Sequence, residues 1–168
     1  MNAMPLNAFD PETDARAFRG ALGAFATGVT VVTTQTDDGP VAIVANSFAS
    51  VSLDPPLVLW SPAKASRRFR YFARARRYAI HVLAAGQQAV CDAVLRDMTA
   101  IRAIDMAQSA CGLPVIEGAL ASFDCALEST VDAGDHVIVL GRVLRAWQRP
   151  GKPLVFHGGA FGELHRAS

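Results

Sequence analysis

Lysine is nearly absent from this 168-residue chain, with two lysines against fourteen arginines. Charge of either sign is scarce, at 18% of residues against about 25% in an average soluble domain. Hydrophobic residues reach 51%, which excludes intrinsic disorder, since disorder needs low hydrophobicity and high net charge. So little charge implies less exposed surface per chain than a free monomer has, as an oligomer or a large bound ligand would provide. An alanine-rich genome, visible in 30 alanines, accounts for the same numbers. The net charge of +1 recommends neither nucleic acid nor membrane as a partner. Three cysteines, Cys91, Cys111 and Cys125, are an odd number without CxxC spacing. That excludes a disulfide framework and a zinc site and points to reduced thiols in the cytoplasm.

A basic n-region followed by an apolar run is also lacking, so no signal peptide is expected. The stretch Gly39 to Ala63 carries a single charge, Asp54, but Asn46, its serines and its prolines exclude a lipid-exposed helix. The length suits one well-buried domain and is short for two. A single domain is expected over residues 1–168, with its core from about residue 15 to residue 164.

HExxH, GxSxG and P-loop motifs are missing as well. The four histidines (81, 136, 157 and 165) are dispersed and no metal site is expected; the carboxylates are scattered, so no glycosidase-like acid pair is indicated.

What is present reads as strands with a few helices. Asp10-Pro11-Glu12 predicts a helix start, and Ala15, Phe18, Leu22 and Phe25 give it one apolar stripe that Gly28 ends at about Thr27. Val29–Thr34 and Val41–Phe48, joined by Asp37-Asp38-Gly39, predict a hairpin. Asp54-Pro55-Pro56 breaks the chain before the short buried strand Leu57–Trp60. A helix is expected from Ser66 to Ala75, a strand from Tyr78 to Leu83 and a helix from Gln87 to about Leu95. Residues 97–112 are ambiguous, and Gly134-Asp135 turns between the long strands Ala121–Val131 and His136–Trp147. A last strand, Pro153–His157, leads to Gly158-Gly159 and a tail. These antiparallel candidates, without a Gly-rich strand-to-helix turn, predict a mainly β fold with peripheral helices, closed or half-closed into a barrel.

Two features can carry chemistry. Asn46-Ser47-Phe48-Ala49-Ser50-Val51-Ser52 places an amide and three hydroxyls in the most apolar part of the chain. They can answer the polar edge of a flat heterocycle and a phosphate, or satisfy their own backbone in a Ser-rich turn. Lys64 to Arg77 holds seven basic residues, and no acid occurs between Asp54 and Asp92. The block reads as a solvated helix face, with one or two arginines near its start as candidates for a phosphate.

Five runs in order, FRGALGAFATGVTVVTT (Phe18 to Thr34), ANSFASVSLDPPLVLW (Ala45 to Trp60), YAIHVLAAGQQ (Tyr78 to Gln88), GDHVIVLGRVL (Gly134 to Leu144) and PLVFHGGAFGEL (Pro153 to Leu164), resemble the flavin reductase family. These are short-chain NAD(P)H:flavin oxidoreductases that serve as small components of two-component monooxygenases. The resemblance implies an antiparallel FMN-binding split β-barrel and a homodimer with FMN or FAD at each subunit interface. It implies NADH or NADPH as co-substrate, hydride transfer to flavin N5, and diffusive handover of reduced flavin to a monooxygenase. Carried over by motif, Ala45, Asn46, Ser47, Ser50, Val51 and Ser52 would line the isoalloxazine and ribityl chain. Ala63, Lys64, Ser66 and Arg67 would lie near the phosphate. His136 would sit by the flavin and nicotinamide as the catalytic candidate, and Phe161 would replace the usual aromatic before the C-terminal Gly. Direct hydride transfer needs two rings held close rather than a strong acid, base or nucleophile, in keeping with the missing motifs.

The chain departs from the family pattern at Ala42-Ile43-Val44, where many members read Gly-Met-Thr. The DKF-like element before Gly-Leu-Pro is not recognisable in Asp97 to Cys111, and Phe161 replaces Tyr. These departures keep open a non-catalytic flavin-binding or redox-sensing protein of the same fold.

Overall fold

The computed structural model describes residues 7–109 and 111–165. Helix α1 (Ala15–Gly23) leads into strands β1 (Thr27–Gly28), β2 (Thr30–Thr36), β3 (Gly39–Ala45), β4 (Ala49–Leu53) and β5 (Pro56–Trp60). The one-turn helix α2 (Phe69–Phe72), strand β6 (Arg77–Val82) and helix α3 (Gln88–Arg96) follow. Short strands β7 (Met106–Gln108) and β8 (Pro114–Ile116) precede the long β9 (Ala121–Ala133) and β10 (His136–Gln148). Strands β11 (Leu154–His157) and β12 (Ala160–Glu163) come last. The strands pair antiparallel throughout, so the mainly β, antiparallel expectation holds.

The main sheet has the order β3-β2-β6-β9-β10-β5-β4, with β1-β11-β12 and β7-β8 as smaller sheets. Among the described residues β3 and β4 do not pair with each other, so hydrogen bonding leaves the main sheet open. Successive residues of a strand face opposite sides, and the β-branched run of β2 therefore feeds two cores. Val32 packs with Ile43, Trp60, Tyr78 and Ile80. Val31 packs with Leu83, Cys91, Val94, Ile101 and Leu154, under α3. The expected hairpins β2–β3 and β9–β10 form, turning where Gly39 and Gly134 take positive φ (107° and 66°).

Several boundaries differ from the sequence reading. Asp10 closes a separate turn, its carbonyl accepting from Asp14 N (2.9 Å), and α1 starts only where the Asp14 carboxylate accepts from Ala17 N (2.8 Å). It stops at Gly23, because Thr27 and Gly28 pair with Phe156 and Val155. The helix expected over Ser66–Ala75 shrinks to α2, flanked by turns such as Ser66 N to Ala63 O and Phe69 N to Ser66 O. Arg70 and Arg74 would stack like charges one turn apart in a regular helix. The second strand of the first hairpin, expected to run to Phe48, ends at Ala45. Ala49–Leu53, read as part of a serine-rich turn, is instead β4, bulged between Ser50 and Ser52 against β5. Gly158 and Gly159, both with positive φ, fold the expected tail back as β12, as a two-residue hairpin turn requires.

One buried polar chain crosses the sheet. Thr33 Oγ1 donates to Pro114 O (2.7 Å) and lies 3.0 Å from His81 Nε2, while His81 Nδ1 lies 3.0 Å from Ser122 Oγ. With the Thr33 proton spent on the carbonyl, Nε2–H donates to Thr33 and Nδ1 accepts from Ser122. Complete burial lowers the His81 pKa to about 3, keeping it neutral.

Candidate functional site

The end of β3, the β5–α2 connection, the C-terminus of α3 and the start of β10 surround a cleft of about 290 Å³. Ser47 leaves the β3 ladder and its Oγ accepts from Ser61 N (2.9 Å), clasping the ends of β3 and β5 together. Lys64 N donates to Asp135 O (2.9 Å) and Val137 N to Pro62 O (3.2 Å), so the β5–α2 connection is laced to the β9–β10 turn. That lacing brings His136 to the cleft beside Ala63. The His136 Nδ1 lies 2.8 Å from Asp135 Oδ1, and this hydrogen bond holds the Asp135 carboxyl below the usual carboxylate range. Nε2 of His136 has no hydrogen-bond partner among the described residues.

Of the residues singled out by sequence, Ala45, Asn46, Ser47, Ala63, Ser66 and His136 line this one cleft. Phe161 lines an adjoining apolar cavity of about 300 Å³ with Val29, Val44, Asn46, Leu95 and Phe156. Its ring meets Phe156 edge-on at 5.4 Å. Val44, Asn46 and Leu95 belong to both compartments, so Asn46 stands at their junction. Ser50, Val51 and Ser52 lie on β4, outside both linings. Lys64 is engaged elsewhere: Nζ donates to Asp132 Oδ2 (2.7 Å) and Gly134 O (2.6 Å), pinning the β9–β10 turn. Arg67 is exposed and outside the lining.

Sequence reasoning marked Val44 only as a departure from the family pattern and did not assign Trp60, Ser61, Arg68 or Leu95 to the site, yet all five line the cleft. Arg68 stands near the start of the basic block, and the close approach of α3 distinguishes it from its neighbour Arg67. Its Nη2 donates to Val94 O (2.6 Å) and Leu95 O (2.9 Å), while its buried Nε has no partner among the described residues. Leu95, on the last turn of α3, is half exposed, and no sequence signal marked it for the cleft. Among the described residues no cluster of three or more His, Cys, Asp or Glu could hold a metal ion. No described helix is long and apolar enough to cross a membrane.

An amide, hydroxyls, an imidazole and one guanidinium around a narrow space, with an apolar aromatic compartment beside it, suit two flat rings and an anionic tail. Known proteins share much of its sequence and its fold. The chain is 54% identical over 153 residues to the FMN reductase (NADH) SmoA of Agrobacterium fabrum, covering 91% of this chain and 88% of that one. It is 42% identical over 161 residues to the flavin-dependent monooxygenase reductase subunit HsaB of Rhodococcus jostii, covering 95% of this chain and 80% of that one. Its fold matches the NADH:FAD oxidoreductase SgcE6 of Streptomyces globisporus with a TM-score of 0.90 at 35% identity, over 99% of this chain and 96% of that one. SgcE6 also matches in its complex with NAD and FAD fragments, with a TM-score of 0.88 at 34% identity, over 95% of this chain and 98% of that one. The sequence profile of the flavin reductase like domain matches residues 22–165, and the chain belongs to that family.

Proposed function

We propose that this chain is an NAD(P)H-dependent flavin reductase that supplies reduced FMN or FAD to a partner monooxygenase. The observation that carries the reading is the convergence of Asn46, Ser47, Ser66 and His136 on one cleft that opens beside an aromatic compartment. The residues present fit a flavin nucleotide: the buried Arg68 Nε lacks an acceptor, and the exposed Asn46 has an amide to offer a ring edge. Bound there, a flavin supplies a two-electron acceptor at N5 for the nicotinamide hydride. The chain's own part is positional. Asn46 orients a ring at the junction, Val44 and Leu95 exclude water from it, and Phe161 and Phe156 face a second ring. His136, steadied through Nδ1 by Asp135, presents Nε2 as a hydrogen-bond partner at the cleft. Holding the rings together removes the entropy of their encounter from the barrier.

Residues 1–168 form one domain in this reading, with the open sheet as one wall of a split barrel. Two copies assemble as a homodimer that covers apolar surface on α1 and β4, and Ser50, Val51 and Ser52 reach the flavin from beyond the cleft. Reduced flavin passes by diffusion to an oxygenase in the cytoplasm. The test is NADH and NADPH oxidation compared with FMN, FAD and riboflavin. Flavin-dependent oxidation is expected, and none with either nicotinamide would overturn the reading. A tightly held flavin that NAD(P)H fails to reduce would establish the flavin-binding or redox-sensing alternative instead.

A further inference from the structure

A second cavity, of about 470 Å³, shares no lining residue with the cleft. The start of β9 and the end of β10 line it together with the β7–β8 hairpin and the residues that follow β8. Residues of a strand alternate between its faces, and a bulge decides which face β10 presents here. Val139 and Val143 pack on the core that holds Trp60 and Tyr78. Simple alternation would send Arg145 and Trp147 to that same side. The register instead shifts between Val143 and Arg145, which pair with the successive residues Cys125 and Asp124. Cys125 belongs to that core, so Arg145 and Trp147 come out on the opposite face, where Trp147 stands across from Ser122. A bulge is a device that re-aims side chains, and this one brings a guanidinium and an indole to the cavity, which Arg149 lines as well. Among the described residues neither guanidinium pairs with a carboxylate. Glu117 is the one carboxylate in the lining, so positive charge is in excess, and the buried Ile116 adds apolar surface.

We propose that this cavity binds an aromatic carboxylate, with its ring against the Trp147 indole and its carboxylate on the Arg145 and Arg149 guanidiniums. A space of this size suits a molecule of one or two rings. A guanidinium matches a carboxylate through paired hydrogen bonds, and an indole face takes a planar ring in offset stacking. A neutral ring would leave both guanidiniums without a new partner, and an aliphatic carboxylate would leave the indole uncovered, so the two features together select the class. Ser122 is held from beneath by its hydrogen bond with His81, which fixes that side of the cavity against collapse. The site is separate from the cleft of the same chain. His136 opens β10 and Trp147 lies near its end, roughly 35 Å away along a strand that rises about 3.3 Å per residue. The proposal stands whether or not the cleft takes a flavin.

The experiment titrates benzoate and its uncharged counterpart benzamide into the wild-type protein, followed by calorimetry and by tryptophan emission. Trp147 is the exposed one of the chain's two tryptophans, since Trp60 is fully buried. Benzoate is expected to bind saturably and to change the emission, with benzamide at least about tenfold weaker for want of a charge-assisted contact. Trp147→Phe, which keeps a ring, is expected to release heat with benzoate but to lose the emission change. Arg145→Ala combined with Arg149→Ala should weaken benzoate about tenfold to a hundredfold and leave benzamide within about twofold. Saturating FMN is expected to leave the benzoate affinity unchanged. Absence of saturable benzoate binding would overturn the proposal, as would equal affinity for the two probes or heat without an emission change in wild type. Displacement of benzoate by FMN, or full benzoate affinity in the double variant, would overturn it too. Should the double variant not fold, the comparison of the two probes on wild type decides.

Discussion

Gly141 illustrates how one residue limits the packing of the main sheet. A Cβ there would overlap the Tyr78 hydroxyl and press on Cys125, and both are buried. Gly141→Ala is expected to cost about 2 kcal/mol or more, visible as a lower urea midpoint with an unchanged slope. His81 makes a pH-dependent contribution. Its folded pKa of about 3 lies below the ordinary 6.5, so the unfolded chain binds a proton that the native one refuses. Stability is therefore complete above pH 6.5 and falls as pH drops toward 3. Between pH 7.5 and 5.5 the loss should be about 1 kcal/mol, read from urea melts, and a flat profile would contradict a neutral His81. At the cleft, Asn46→Ala is expected to weaken flavin binding about tenfold. His136→Ala should slow NAD(P)H turnover more than it weakens flavin affinity. A variant that matches wild type in both measurements loses its assigned role.

Among the elements, α1 stands out because its apolar stripe is at the surface: Phe18 and Leu22 are 44% and 60% exposed, and Phe25, just past its end, is 77% exposed. On β4, Leu53 is 97% exposed. Spacing revealed the stripe correctly, but an amphipathic pattern says that a face will be covered and not by what. The homodimer reading supplies the cover. Leu22→Asp combined with Phe25→Ser is expected to shift the protein from dimer to monomer in sedimentation velocity; a monomeric wild type would remove the reading. The basic segment shows the opposite case. Its sequence is compatible with a helix, yet like charges one turn apart and the tether of Arg68 to α3 leave only Phe69–Phe72 helical.

For the whole molecule, two cores share one seven-stranded sheet, and β2 contributes to both. Unfolding one core alone would strip half of β2 of its packing. Calorimetry is therefore expected to give one cooperative transition, and two resolved transitions would argue against a single domain. The lean charge content agrees with this design, since a sheet packed on both faces leaves few positions for charged side chains.

Strand identity was legible in the sequence because β-branched runs such as Thr30–Thr34 and turn residues such as Asp37-Asp38-Gly39 act locally. Of the polar run at Asn46–Ser52, Asn46 and Ser47 line the cleft and Ser50, Val51 and Ser52 do not. Which of its members share a cleft was decided by tertiary contacts: the Ser47–Ser61 clasp, the lacing of Pro62 and Lys64 to the β9–β10 turn, and the approach of α3 to Arg68. Those contacts join residues far apart along the chain, so no local pattern encodes them. Arg67 and Arg68 are the same residue type in adjacent positions, and only folding sends one to solvent and the other to the site.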